Sequence, residues 1–268
     1  MKTFKTILLT LAVVFSFTAC EKIPTEGFKV EGSIANFQDY QDNKVMVFVG
    51  GGYGNIGTKI SESKFENNYF SMFLPYEIKD KYCNAISADK LALFNPEFEP
   101  YLTISNENVK VIDAWFNSNK EYYFKGNIMQ FGYKEKFYNN EVADVTLVKT
   151  RYIYAQSAVS ITGDYEARLN GTGADLYKTV KMDLFLQKGW NIIYKIGNYI
   201  SQPNTCYWEI DTAIINITTE KPENIELKWY YEFGNKFNYM KILENENAEF
   251  IYMPFMTSYK HDFILLTF

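Results

Sequence analysis

The chain has 268 residues, of which 18% are aromatic, and it carries 32 acidic against 27 basic side chains, a formal net charge of −5. This acidic balance disfavours nucleic acid as a partner, because the phosphate backbone selects basic surfaces. The sequence also contains no cluster of basic residues with interleaved aromatics that would override it. The length suits two modest domains or one large sandwich.

The N-terminus predicts export from the cytoplasm. Lys2 and Lys5 form a positively charged segment, and residues 7–17 form an apolar stretch that is too short to span a membrane as a helix. Residues 1–19 therefore read as a signal peptide. No later segment of the sequence has the length and hydrophobicity of a spanning helix.

The signal peptide ends on Phe17-Thr18-Ala19-Cys20, which resembles the lipobox of bacterial lipoproteins, although Phe17 stands where an aliphatic residue is usual. The resemblance implies that Cys20 is acylated, starts the mature chain and begins a tether over residues 20–27. Glu21 rather than Asp follows the cysteine, which favours the outer membrane and leaves open which side the protein faces. The alternative is an ordinary secretory peptide with a chance cysteine.

A glycine-rich stretch, VGGGYGNIG, follows the apolar run VMVFV and contains the spacing G-x-G-x-x-G at Gly52, Gly54 and Gly57. In a dinucleotide-binding loop this spacing would have to open a helix. The next residues, TKISESKFENNYFSMFLP, have no helical periodicity, so the glycines are interpreted as a hairpin connection and no cofactor is expected.

Alternation of apolar and polar residues predicts strands throughout the chain. Phe70, Met72 and Leu74 alternate after the turn signal Asn67-Asn68. Other alternating sets are Phe28, Val30 and Ile34; Val159 and Ile161; Val180, Met182, Leu184 and Leu186; and Ile225, Leu227, Trp229, Tyr231 and Phe233. Because no sustained helical stripe is present, we expect an all-β chain.

The expected architecture is two β-sandwich domains of the immunoglobulin or transthyretin-like kind after the lipoprotein signal peptide. The N-terminal sandwich is placed at residues 28–111. The C-terminal sandwich is placed at residues 112–268, beginning with the hairpin AWFNSNKEYYFKG. No low-complexity linker marks the boundary, and no repeat of fixed period is found.

Three motifs resemble a pattern of secreted, Bacteroidetes-type β-sandwich lipoproteins of unknown function. They are Val30-Glu31-Gly32-Ser33-Ile34 (V-x-G-x-I), Ile161-Thr162-Gly163, and Lys188-Gly189-Trp190-Asn191. The resemblance covers about residues 28–233, with strand-and-turn motifs of moderate specificity. It implies an envelope lipoprotein and brings no activity with it. In physical terms, the last motif predicts a turn glycine followed by an indole that anchors a strand.

Few residues suit catalysis or metal binding. His261 is the one histidine, no G-x-S-x-G elbow is present, and the cysteines lack zinc-ligand spacing, so no metal is expected. The segment 164–175, with Glu166 and Asn170, has oxygen ligands but not the order of a calcium loop, and a solvated hairpin tip is the favoured interpretation. Paired carboxylates for glycoside hydrolysis leave no sequence signature.

Cys83 and Cys206 are the cysteines left when Cys20 is lipidated. The oxidising envelope permits a disulfide between them, which would join the two expected domains. Two buried free thiols are the alternative, and the favoured one.

Four aromatic residues are candidate ligand-binding positions. Tyr230 alternates with the buried set of its strand, and the hairpin residues Trp115, Tyr122 and Tyr123 belong to consecutive aromatic runs that must point to both faces. The alternative is that another strand covers these rings and that they serve only in packing. We therefore expect a non-catalytic envelope lipoprotein that binds a glycan or a protein partner or serves as an accessory or adhesion subunit. An extracytoplasmic glycoside hydrolase is the alternative.

Overall fold

The computed structural model describes residues 26–35, 44–50, 57–86, 101–118, 127–138, 142–170, 175–203 and 208–232. Within these ranges the regular structure consists of fourteen β-strands and one 3-10 turn at Asp80–Tyr82. The prediction of an all-β chain is therefore confirmed over the described residues. None of the helical structure found there is long and apolar enough to cross a membrane.

The strands vary in length, and the longest lie in the second half of the chain. They are β1 (Phe28–Ser33), β2 (Lys44–Val49), β3 (Thr58–Lys64), β4 (Tyr69–Leu74), β5 (Asn84–Ala85), β6 (Leu102–Ile104), β7 (Lys110–Asn117), β8 (Asn127–Tyr138), β9 (Val142–Ala155), β10 (Val159–Asn170), β11 (Asp175–Leu186), β12 (Gly189–Pro203), β13 (Trp208–Thr218) and β14 (Lys228–Glu232).

Twelve of these strands form one sheet with the order β3-β2-β7-β8-β9-β12-β13-β11-β10-β6, in which β14 pairs with β8 and β5 with β7. Neighbours are antiparallel except β11 and β13, which are parallel. Only two residues separate β11 from β12 in the chain, yet β13 lies between them in the sheet. Strands β1 and β4 form a separate antiparallel pair.

The small pair β1–β4 is connected to the large sheet on both sides. On one side Ile34, just after β1, forms a bridge with Trp229 of β14, and the Ala35 amide donates to the Trp229 carbonyl at 2.8 Å. On the other side the Ser61 hydroxyl of β3 donates to the Phe73 carbonyl of β4 at 2.8 Å. The pair is therefore joined to β3 and β14 of the large sheet rather than standing apart.

Two clusters of buried apolar residues lie on opposite faces of β9. Tyr152 and Tyr154 belong to the first cluster, with residues of β1, β2, β4, β7 and β14. Ile153 and Ala155 belong to the second, with residues of β10, β11, β12 and β13. Because one strand contributes to both clusters, β9 is buried on both faces over its last four residues. The division into two sandwiches at residue 111 stays a prediction, and β7 spans that position.

The glycine of the V-x-G-x-I strand makes room for a tryptophan. A Cβ atom on Gly32 would lie 2.3 Å from Trp229 Cδ1, so only glycine permits the indole to pack on this backbone. The indole Nε1 donates to the Glu31 carbonyl at 3.2 Å. Val30 of β1 and Ile34, just after the strand, are both buried, as their alternation predicts.

Two predicted turns are confirmed by backbone conformation and pairing. Asn67 and Asn68 have φ angles of 54° and 64° in the hairpin between β3 and β4, where asparagine tolerates positive φ well. The residues after Gly57 form strand β3, which pairs antiparallel with β2, so the G-x-G-x-x-G spacing opens no helix. Residues 51–56 of that spacing lie outside the described part of the chain.

The K-G-W-N motif also has the predicted role. Gly189, the first residue of β12, adopts a φ of 102° where the chain turns from β11 into β12. Trp190 is buried in the first cluster, and its indole Nε1 donates to the Pro75 carbonyl at 2.8 Å. The Asn191 amide donates to the carbonyls of Gln187 and Gly189, both at 2.9 Å, and closes the turn.

Candidate functional site

Tyr230 does not have the exposed ring that was expected of a ligand-binding aromatic. The alternation was correct, because Trp229 and Tyr231 belong to the first cluster and Tyr230 points to the other face of β14. On that face, however, the Tyr230 ring is buried and stacked on Phe131 of the adjacent strand β8, with ring centroids 4.0 Å apart. The expectation that Tyr230 presents an exposed binding surface is therefore wrong. The alternative, that a residue of another strand covers the ring, is correct.

The hairpin aromatics are only partly described. Phe116 lies in the first cluster, while Trp115 points to the opposite face of β7. Trp115 is half-buried, and its ring stacks on that of Phe48 with centroids 5.0 Å apart. The prediction that this aromatic run points to both faces is confirmed. Tyr122 and Tyr123 lie outside the described residues, and their role stays a prediction.

Cys83 is a free, buried thiol. Burial raises the pKa of this thiol, with the nearby Asp80 carboxylate adding to the effect, so Cys83 is less reactive than an ordinary cysteine. The predicted alternatives of a bond to Cys206 or two free thiols stay predictions, because the structure does not describe Cys206. Cys206, Cys20 and His261 all lie outside the described residues.

The acidic candidates lie on exposed positions. Asp164 and Glu166 are on β10, which forms a regular hairpin with β11. Among the described residues no three histidine, cysteine or acidic side chains come together as a metal site would require. In the same part of the chain, the buried polar side chains are Ser61, Asn117, Ser118, Lys149 and Lys178, and none of these is a carboxylate.

Two buried lysines on one sheet are unusual, and they lie in a group of four cations. Lys149 and Arg151 come from β9, Lys195 from β12 and Lys178 from β11. We call these four residues the basic cluster. Registered partners share a face of a sheet, and Lys149 is opposite Lys195 while Arg151 is opposite Ile193.

The pairings across β13 place Lys178 on this same face. Lys195 is opposite Ile217 of β13, and Lys178 is opposite Ala213, four residues earlier on that strand. Ile217 belongs to the second cluster of buried apolar residues. The basic cluster therefore lies on the same face of the large sheet as the second cluster of buried apolar residues.

The basic cluster is strongly shielded from water. Lys149 and Lys178 each expose only 7% of their surface. Burial, followed in order of effect by the charges of Lys149, Lys178 and Arg151, lowers the pKa of Lys195 to about 8. This is the behaviour expected when an ammonium group loses water and lies among like charges.

Two further polar groups adjoin the basic cluster. The Arg151 guanidinium forms a salt bridge with Asp113 of β7. The Tyr199 ring lies over the backbone of Gly197, where an added Cβ would be 2.6 Å from the phenol oxygen, and Gly197 is two residues from Lys195 on the same face. Burial raises the pKa of Tyr199 to about 12, so its hydroxyl remains a neutral hydrogen-bond donor at physiological pH.

Sequence reasoning missed the basic cluster, although one local signal was present. Lys178 continues the buried alternation of Val180, Met182, Leu184 and Leu186 by one step, and a lysine at a buried position of such a pattern is uncommon. The convergence of β9, β11 and β12 depends on strand pairing, which the local pattern does not contain.

No protein-family model, curated protein or solved structure matches this chain.

Proposed function

We propose that this chain is a lipid-anchored protein of the bacterial cell envelope, held in the outer membrane, that acts by binding a glycan or a protein partner rather than by catalysis. The single observation that carries the binding role is the basic cluster of Lys149, Arg151, Lys178 and Lys195 on one face of the large sheet. The two buried apolar clusters support two sandwich-like layers, of the immunoglobulin or transthyretin-like kind, as the scaffold for it.

Burying such a cluster is costly for folding. Removing an ion from water costs several kcal/mol in real proteins, and like charges on directly opposed strand positions add repulsion. Lys149 and Lys195 occupy such opposed positions. A charged group whose pKa is strongly shifted by burial and by neighbouring charges, as that of Lys195 is, occurs more often at functional sites than elsewhere, and this supports a binding role.

The anchoring part of the proposal rests on Cys20 and the signal sequence before it. Replacing Cys20 with Ala is expected to move the protein from the membrane fraction to the soluble envelope fraction, because the diacylglycerol has no acceptor thiol. The measurement is cell fractionation followed by immunoblotting. Unchanged membrane retention of Cys20→Ala would contradict the lipid anchor, and Cys83→Ala, which keeps Cys20, is the control that should stay membrane-bound.

The binding part can be tested with ligands from the envelope itself. Glycan, lipid and protein fractions are added to the purified full-length chain in an uncharged detergent, and the melting temperature is measured. A ligand of the basic cluster should raise the melting temperature of the wild type and leave the variant Lys149→Met/Lys178→Met unchanged, since a ligand stabilises only the state that it binds.

The matched control is Lys181→Met on the exposed face of β11, which should respond like the wild type. Equal shifts in the wild type and in Lys149→Met/Lys178→Met, or no shift with any fraction, would contradict binding at this site.

A further inference from the structure

We propose that one end of the fold lies on the surface of the membrane that holds the lipid anchor, with the exposed rings of Tyr76 and Phe185 at the level of the lipid headgroups. This end consists of residues 75–82, 156–158 and 185–189, and we call it the anchored end. The inference rests on the lipid anchor of the proposed function and names the surface of the protein that faces the membrane.

The chain enters the described fold at the anchored end. Phe28, the first residue of β1, is paired with Leu74, the last residue of β4. A Cβ atom on Gly27 would lie 1.9 Å from the Leu74 carbonyl oxygen, so the entering chain runs directly against the end of β4. Tyr76 follows two residues after Leu74 and therefore lies close to the point of entry.

The length of the tether limits which surface can reach the membrane. Only residues 21–25 separate Cys20 from Glu26, the first described residue, and this stretch spans at most about 20 Å. Strands β11 and β12, which have 12 and 15 residues, are about 40–50 Å long. The tether therefore keeps the anchored end near the lipid, and the far ends of these strands lie a strand length farther from the point of entry.

Side-chain hydrogen bonds hold the segments of the anchored end together. The Trp190 indole donates to the Pro75 carbonyl at 2.8 Å and joins the loop after β4 to the start of β12. The Asp80 carboxylate accepts from Gln156 at 2.7 Å and from Lys110 at 2.7 Å, which joins the 3-10 turn to the β9–β10 turn and to β7. These contacts present the anchored end as one fixed surface.

Two large rings are exposed on this surface. Tyr76 is 65% exposed, and Phe185, which lies one residue before the end of β11, is 54% exposed. A phenylalanine ring gains free energy when it leaves water, and a tyrosine suits the membrane interface because its ring is apolar and its hydroxyl is polar. Both rings would therefore be more stable against lipid than in water.

The charges of the anchored end also permit contact with lipid headgroups. Asp80 is paired with Lys110. The other exposed charged residues at this end and beside it balance one another, and they are Lys79, Lys81 and Lys188 against Glu26, Glu77 and Glu107. Because the whole chain has a net charge of −5, phosphate headgroups repel this end less than the average surface of the protein.

The test is tryptophan fluorescence of the full-length lipidated chain in phosphatidylcholine vesicles with brominated acyl chains, compared with unbrominated vesicles of the same lipid. Bromine quenches indoles that lie close to it. The variants Tyr76→Trp and Phe185→Trp each add one indole to the 4 of the wild type. We expect each variant to lose a larger share of its emission to bromine than the wild type does.

The matched control is Tyr177→Trp. Tyr177 is 52% exposed on the same strand as Phe185, but it lies about 30 Å from the β11–β12 turn. This variant should lose no larger share of its emission than the wild type. The inference is overturned if Tyr76→Trp or Phe185→Trp loses no more than the wild type, or if Tyr177→Trp loses as much as they do.

Two measurements on proteins without a new tryptophan complete the test. Amides of residues 75–82 should exchange hydrogen more slowly in the vesicle-bound wild type than in Cys20→Ala, which has no anchor, and equal exchange would also overturn the inference. Flotation of the vesicles tests the anchor itself. If the wild type floats with the vesicles and Tyr76→Trp shows no additional loss, the orientation falls and the anchor stands; if the wild type does not float, both fall.

Discussion

Replacing Trp229 with Ala is expected to lower the free energy of unfolding by about 3–5 kcal/mol, the usual range for deleting a large aromatic side chain from a core. Trp229 is 2% exposed. Its ring meets Phe70 at 5.2 Å and Phe116 at 4.9 Å, both edge to face, and lies against the backbone of Gly32. The substitution would leave a cavity at the point where β1, β7 and β14 meet.

The measurement is urea unfolding followed by tyrosine and tryptophan fluorescence, with circular dichroism as a second probe. The matched control is Tyr76→Ala, because Tyr76 is 65% exposed and its loss should cost no more than about 0.5 kcal/mol. A loss for Trp229→Ala as small as that for Tyr76→Ala would show that β14 does not join β1 and β7 in one core.

The second large effect is a dependence of the free energy of unfolding on pH. The free energy of unfolding is expected to rise by up to about 3 kcal/mol between pH 8 and about pH 10 because of Lys195. The pKa of Lys195 is about 8 in the folded chain and near 10.5 when the chain is unfolded, so between these values the unfolded state binds more protons. The contribution is complete above pH 10.5 and is lost as the pH falls through 8.

Other groups oppose this rise at the alkaline end of the range. Burial raises the pKa values of Cys83, Tyr194 and Tyr199, so the unfolded state releases their protons first and stability falls as the pH passes their unfolded values. The variant Lys195→Met keeps these groups and removes the ammonium. The difference between wild type and variant therefore isolates Lys195 in urea-unfolding experiments at several pH values.

At pH 7, Lys195→Met should be as stable as the wild type or more stable, because methionine fills a similar volume without a charge to desolvate. Parallel pH profiles of the two proteins, or a marked loss of stability in the variant, would show that Lys195 is an ordinary structural lysine.

Local patterns predicted much of the strand structure, because alternation reports which face of a strand is buried. They correctly separated Trp229 and Tyr231 from Tyr230, and they placed Phe70, Met72 and Leu74 on the inner face of β4. The turn residues Asn67-Asn68 and Gly189 were also recognisable, since each adopts a backbone conformation that few residues tolerate.

The same patterns could not show what covers the opposite face. Tyr230 was expected to be exposed because its neighbours in sequence are charged, yet Phe131, almost a hundred residues earlier in the chain, covers it. Such a contact is a property of the strand order, and the order includes a strand, β13, that enters between β11 and β12.

The basic cluster was missed for the same reason. Lys149, Lys178 and Lys195 are each unremarkable in their own segments, and only the pairing of β9 with β12 and of β11 with β13 places them on one face. Parallel strands such as β11 and β13 are not joined by a hairpin turn, so no local feature of the sequence predicts their pairing.

The protonation of Lys195 itself is the decisive quantity, and heteronuclear NMR of the lysine side chains measures it, with Lys195→Met used to assign the signal. We expect Lys195 to titrate near pH 8, because burial and the neighbouring cations disfavour its charged form. A Lys195 that titrates near 10.5 would contradict a buried basic cluster on this sheet.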